Sequence, residues 1–239
     1  HAIVMRSIPG SDPVHQITII PRGGAGGFTM QLPEEDKQYA TKGMMLNDIK
    51  HLLGGRVAEL LTLDDISTGA SNDIQRATDV ARAMVTKYGF SDKLGPVNYS
   101  DSEEVFLGND FSSKKSYSEE VAAEIDHEIR RIVEEAFEET KKIISENLDK
   151  LERVAQALLA VETLDGQQFE QLYTGEKSAE DIENDVMEKE AEIRKVNAQE
   201  AEESEKLRRE AEERLMEEIE RLRNQYVSAD GTTHRRDEE

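Results

Sequence analysis

The residues best suited to chemistry are one imidazole and two carboxylates. His1 heads an apolar run, Ala2-Ile3-Val4-Met5. Glu59 follows Gly54-Gly55-Arg56-Val57-Ala58, and Asp73 sits in Ser67-Thr68-Gly69-Ala70-Ser71-Asn72-Asp73-Ile74. Imidazole nitrogen and carboxylate oxygen are both zinc donors, and a catalytic zinc takes three protein ligands while keeping one position open. In a helix of the H-E-x-x-H type, two imidazoles stand one turn apart with the glutamate between them as general base. His1 could be the second imidazole of such a helix; the first, and the glutamate, would precede it. Taken singly, each residue has a plainer explanation. A histidine in the first position is readily an accident of where a chain is cut, an aspartate in a helix's first turn is favoured by the macrodipole, and Glu59 could be an ordinary solvated carboxylate.

The elements that would hold these residues are mostly helical. Residues 14–31 carry the β character: Val14, Ile17, Ile19 and Ile20 are β-branched, and Pro21 stops the run. Gly23, Gly24, Gly26 and Gly27 then precede Phe28-Thr29-Met30, which predicts a short hairpin with a glycine-rich turn. The glycines lack the Lys and Ser/Thr of a phosphate-cradling loop. From about residue 36 the pattern turns helical, and Ile49, Leu52, Leu53, Val57, Leu60 and Leu61 form one apolar face. Gly54 and Gly55 interrupt it at about 1 kcal/mol each against alanine, so a close packing partner is expected there, and the segment carrying His1 is the natural one. Ser71 reads as the N-cap of a helix whose face is Ile74, Ala77, Ala81, Met84 and Val85.

Residues 88–117 read as a loop-rich connection with a Ser-Lys cluster at 112–116. Ser116 or Ser118 caps a long helix from 119 to about 146, and a further helix runs from 148 to about 161. Leu164-Asp165-Gly166 turns into a last core helix through Phe169, Leu172 and Tyr173. His127, among Asp126, Glu128 and Arg130, reads as part of a solvated face. The segment 176–227 is rich in Glu, Lys, Arg and Ala, with a thin stripe of Ile182, Val186, Ile193 and Val196, then Leu207, Ala211, Leu215, Ile219 and Leu222. That predicts a charged helix or weak coiled coil that adds little to core stability. Residues 228–239, with His234, read as disordered.

Composition narrows the classes. The chain has 239 residues, no cysteine and a formal net charge of −22. A disulfide scaffold and a Cys-ligated zinc site are excluded, and no run of about 20 apolar residues could cross a membrane. The acidic balance argues against nucleic acid or an anionic bilayer as a direct partner. The missing initiator Met implies that the natural N-terminus lies elsewhere.

Eight segments in order, at 1–4, 12–23, 52–59, 67–74, 81–85, 94–97, 105–108 and 162–166, resemble the FtsH family of membrane-anchored, ATP-dependent zinc metalloproteases. The resemblance covers residues 1 to about 173 and starts inside the zinc motif, after a missing H-E-A-G. It implies a mainly α fold: a helical-bundle zinc peptidase domain over 1–175 with a small β-hairpin or sheet near the N-terminus, followed by the long charged C-terminal helix. It implies zinc ligands at His1 and Asp73, with Glu59 orienting a ligand histidine, and a substrate-binding strand at Gly26, Gly27, Phe28 and Thr29. Leu60 stands where relatives usually carry a second acidic residue.

The same resemblance implies Zn2+ as cofactor, with ATP and Mg2+ held by an ATPase module outside this chain. It further implies protein substrates, a homo-hexameric parent, and a peptidase domain on the cytoplasmic side of the bacterial inner membrane, attached only through missing N-terminal segments. The general-base glutamate lies upstream of His1, so the fragment alone is expected to be inactive. The rival reading is a non-catalytic helical assembly module. His1 and Asp73 should converge closely enough to share one ion, with Glu59 nearby.

Overall fold

The computed structural model describes residues 1–21, 23, 26–32, 39–100 and 117–230. Gly24, the segment 105–108, the Ser-Lys cluster at 112–116 with Ser116, and residues 231–239 with His234 lie outside the described residues. Seven helices and three strands are formed among those described. In order they are α1 (Ala2–Ser7), β1 (Val14–Thr18), β2 (Phe28–Gln31), α2 (Lys42–Thr62), α3 (Ser71–Thr86), α4 (Glu119–Ser145), α5 (Leu148–Val161), β3 (Thr163–Asp165), α6 (Gly166–Thr174) and α7 (Ala179–Asp230). The expected mainly α architecture is the one observed.

Two helix starts follow the capping chemistry. Thr41 accepts from the Met44 amide at 3.2 Å to open α2, and Ser118 accepts from the Val121 amide at 3.3 Å to open α4. α3 departs from expectation. Its N-cap is Ala70, which makes no side-chain cap bond, and Ser71 is already the first helical residue. The loop before it is folded locally instead, Ser67 Oγ accepting from the Gly69 amide at 3.0 Å and the Ser71 amide donating to the Thr68 carbonyl at 3.1 Å. Asp73 remains in the first turn.

The hairpin is part of a three-stranded antiparallel sheet in the order β2-β1-β3. The sequence reads 164–166 as a turn, because three residues leading into a helix carry no period; tertiary pairing makes Thr163–Asp165 a strand against β1, with Ile17 opposite Leu164. Its junction with α6 is tightly built. Asp165 and Gln168 form a reciprocal capping box, and a Cβ on Gly166 would lie 2.5 Å from the Val14 carbonyl oxygen. β1 is therefore the central strand and β2 an outer one. The hairpin turn closes on Gly27, where a Cβ would collide with the Thr18 carbonyl oxygen.

Apolar burial divides into two main clusters. Ile49, Leu52, Leu53, Ala81, Met84, Val85, Ile125, Ile129 and Ile132 join α2, α3 and α4. Ile3, Met5, Ile17, Val154, Leu164, Phe169 and Leu172 join α1, the sheet, α5 and α6. Val4, Val57 and Ile144, all buried, bridge the α1, α2 and α4 surfaces. Each of the Val, Leu, Ile, Phe and Met side chains among these contributes about 1.5–3 kcal/mol by leaving water. Polar ties reinforce the seams. Arg6 donates to both Glu170 oxygens at 2.8 and 2.7 Å, and Thr140 Oγ1 on α4, which donates to the Ala136 carbonyl at 2.7 Å, also lies 3.3 Å from the Lys50 carbonyl.

The chain forms two compact units, His1–Glu183 and the residues from Asn184 onward. Ile182, read in the sequence as part of the tail's stripe, is fully buried with Phe169 and Leu172 in the first unit. Ser178 and Asp181 cap that start reciprocally, Asp181 accepting from the Ser178 amide at 2.8 Å and Ser178 Oγ from the Asp181 amide at 3.1 Å. Beyond it, Ile193, Val196, Leu207, Leu215 and Ile219 are exposed, and the helix continues to Asp230, three residues past the expected end at 227.

Candidate metal centre

Helix α1 begins directly after His1, which is its N-cap, and the backbone of that first turn lies on α2. A Cβ on Gly54 would stand 3.3 Å from both the Cα and the amide nitrogen of His1, and one on Gly55 would stand 2.8 Å from His1 Nε2. The glycine pair thus gives the imidazole its space on α2. His1 Nδ1 is 2.8 Å from the carbonyl oxygen of His51. A carbonyl can only accept, so Nδ1 carries a proton and Nε2 is the nitrogen left to face outward.

That free nitrogen faces Asp73. His1 Nε2 and Asp73 Oδ2 are 3.4 Å apart, with side chains 29% and 28% exposed. The separation is longer than an ordinary hydrogen bond of about 2.7–3.2 Å. It matches the spacing of two donors on one tetrahedral zinc, about 3.3–3.4 Å for bonds of about 2.0–2.1 Å. An imidazole Nε2 and a carboxylate oxygen facing one another, both reachable by solvent, are a donor set that fits zinc. Asp73 Oδ1 lies 4.0 Å from Arg76 on its own helix. Among the described residues no group of three or more His, Cys, Asp or Glu side chains could hold a metal.

Glu59 acts on the loop that leads to Asp73. Its Oε1 accepts from Ser67 Oγ at 2.5 Å and its Oε2 from Arg56 at 3.1 Å, while Arg56 also donates to the Ser67 carbonyl at 2.9 Å. The carboxylate therefore braces the Ser67–Gly69 turn, and through it the start of α3. Gly26, Gly27, Phe28 and Thr29 form the end of the turn and the start of the outer strand β2. His127 is exposed on α4.

Sequence reasoning missed His51. Its carbonyl orients His1, and its ring lies edge-on to that of His1 with centroids 5.2 Å apart. Burial, and after it the neighbouring His1, pushes the His51 imidazole down to about 4, so the ring is neutral near pH 7. Its Nδ1 is buried with no hydrogen-bond partner among the described residues. The available signal was positional, since His51 lies three and four residues before the glycine pair. Cavity size would not have found the centre. A cleft of about 640 Å³ lies instead under the end of α1, lined by Arg6, Asp12, Phe169 and Glu170 among others.

The same geometry can be set beside known proteins. Residues 1–172 match the model of peptidase family M41. The chain is 64% identical over 177 residues to an ATP-dependent zinc metalloprotease FtsH 2 of Alkaliphilus metalliredigens, covering 74% of this chain and 26% of that protein. An FtsH 1 of Thermoanaerobacter sp. is 59% identical over 177 residues, 74% of this chain and 29% of its own. The ATP-dependent zinc metalloprotease FtsH of Bacillus subtilis is 50% identical over 174 residues, 72% and 27% of the two chains. The chain thus spans between a quarter and three tenths of the length of these relatives. The match covers every element from α1 through β3, and α6 as far as Leu172, and on that ground the chain belongs to peptidase family M41.

Proposed function

We propose that these residues form the peptidase region of an ATP-dependent zinc metalloendopeptidase, with His1 and Asp73 as two of the three protein ligands of the zinc. The observation that carries this reading is the 3.4 Å separation of His1 Nε2 and Asp73 Oδ2, with Nδ1 tied to the His51 carbonyl. Zinc, when bound, supplies Lewis acidity toward water and a scissile carbonyl. The roles of this chain are then positional. His1 offers Nε2, Asp73 offers a carboxylate from the first turn of α3, and Glu59 braces the loop that leads into that helix. The outer strand β2, entered through Gly26 and Gly27 with Phe28 and Thr29, offers an edge for an extended substrate backbone, a form of strand addition.

The remaining imidazole and the general-base glutamate come from residues outside these 239, so this chain by itself cleaves no peptide bond. In the parent, a homo-hexamer anchored by segments outside this chain on the cytoplasmic face of a bacterial inner membrane, an ATPase module using ATP and Mg2+ feeds membrane and cytosolic proteins to this region. The test is zinc-dependent cleavage of casein by a form extended to include that module. Asp73→Ala abolishes it on this reading, and full activity in Asp73→Ala refutes the ligand role.

A further inference from the structure

The side chain of a helical residue leans back over the turn before it, so the carbonyl of residue i is covered by the side chains at i+3 and i+4. For His51 those residues are Gly54 and Gly55. With no side chain at either place, the His51 carbonyl is bare on the face of α2 that meets α1. A carbonyl oxygen has two lone pairs, and the second is open to His1 Nδ1 at 2.8 Å.

The two glycines divide the work. A Cβ at 55 would stand 2.8 Å from Nε2, 3.2 Å from Cε1 and 3.7 Å from Cδ2 of His1, against the metal-facing edge of the ring. A Cβ at 54 would press on the backbone of His1 and on Val4 Cγ2, each at 3.3 Å. Gly54 therefore sets how closely α1 approaches, and Gly55 leaves the ring free to turn toward the carbonyl. Close helix packing alone would explain Gly54. It does not explain Gly55, whose nearest neighbours are atoms of the imidazole and not of the α1 backbone.

We propose that Gly55 is a positioning residue of the metal centre: it bares the His51 carbonyl, which holds His1 in the Nδ1–H tautomer and so points Nε2 at the metal. The inference rests on His1 being a ligand, but the tautomer can be read without metal.

The experiment is 15N NMR of histidine-labelled, metal-free full chain at pH 8, together with Co2+ affinity and thermal melting. The wild type shows His1 as the Nδ1–H form. Gly55→Ala shifts it to the Nε2–H form and weakens Co2+ binding about 10- to 100-fold, the usual effect of losing a partner that orients a ligand. Its melting temperature does not fall, because alanine is the better helix former and the atom it displaces is the end of a side chain. Should Gly55→Ala melt below the wild type, Gly54→Ala reads the same tautomer and is expected to shift it less.

Gly43→Ala in the same helix, where a Cβ meets only Thr41 Oγ1 at 4.0 Å, changes neither tautomer nor affinity. His51→Ala keeps the carbonyl and so keeps the Nδ1–H form. Retention of that form in Gly55→Ala, or its loss in His51→Ala, overturns the inference. An Nδ1–H signal in a wild type whose Co2+ affinity is unchanged by Asp73→Ala supports the part played by Gly55 in setting the tautomer and refutes Asp73 as a ligand.

Discussion

The Glu59 carboxylate accepts a 2.5 Å hydrogen bond from Ser67 Oγ, eight residues farther along the chain. Neither group touches His1 among the described hydrogen bonds, and their bond closes the end of α2 onto the turn that launches α3. Glu59→Ala should therefore act through Asp73. Zinc-dependent casein cleavage by the ATPase-containing form is expected to fall about 10- to 100-fold. Hydrogen exchange at the Gly69 amide, which donates to Ser67 Oγ, should speed up in the same variant. Unchanged exchange at Gly69 would detach Glu59 from the loop.

Glu128 is 1% exposed, yet its carboxyl is held down to about 2, chiefly by Arg131 at 2.9 and 3.0 Å and also by Ser91 at 2.7 Å. The pKa is depressed by folding, so the stabilisation is complete above the ordinary carboxylate value and disappears as pH falls through the folded one. Glu128→Gln is expected to cost about 1–3 kcal/mol at pH 7, a drop of several degrees in Tm. The gap between variant and wild type should close between about pH 4.5 and 2. A gap independent of pH would show that the ionised form contributes nothing.

Two neighbouring glycines at the hairpin should respond oppositely. A Cβ on Gly26 meets nothing within 4 Å, whereas one on Gly27 collides with the Thr18 carbonyl oxygen. Gly26→Ala should be neutral to within about 0.5 kcal/mol. Gly27→Ala should cost about 1–3 kcal/mol by forcing β2 off β1, and casein cleavage should drop with it if the strand carries substrate. Equal melting temperatures for the two variants would contradict the packing described.

The long helix should be separable after its first turn but not before it. Ile182 is fully buried, so Ile182→Ala is expected to cost about 2–5 kcal/mol. Ending the chain after Glu183 should shift Tm by no more than about 2 °C, since exposed i, i+4 pairs such as Arg209 with Glu205 at 2.8 Å add only about 0.3–0.5 kcal/mol each. Differential scanning calorimetry of the two forms decides this.

Local patterns carried far in this chain. Apolar spacing marked α2 through α6, Ser116 or Ser118 marked the start of α4, and the misplaced Gly54 and Gly55 signalled that something must lie close to α2. What stayed hidden was set by tertiary contact. Thr163–Asp165 is a strand only because β1 offers it a partner, and Ile182 is core only because α6 turns back beside it. His51 matters through its backbone oxygen, which no residue type advertises. For His1 and Asp73, motif order nominated the residues, and only the fold supplies a distance between them.

The pairing of β1 with β3 joins residues 16–18 to 163–165 and has a consequence for biosynthesis. Ribosomes add about 5–20 residues per second, so roughly 7–30 s separate the emergence of the two strands. Throughout that interval the segment carrying His1 has no β3 to close the sheet and no α6 to cover Ile3 and Met5. The cluster that seats α1 is thus a late product of translation, and a nascent chain stalled before residue 160 should expose residues 1–50 to proteases or chaperones.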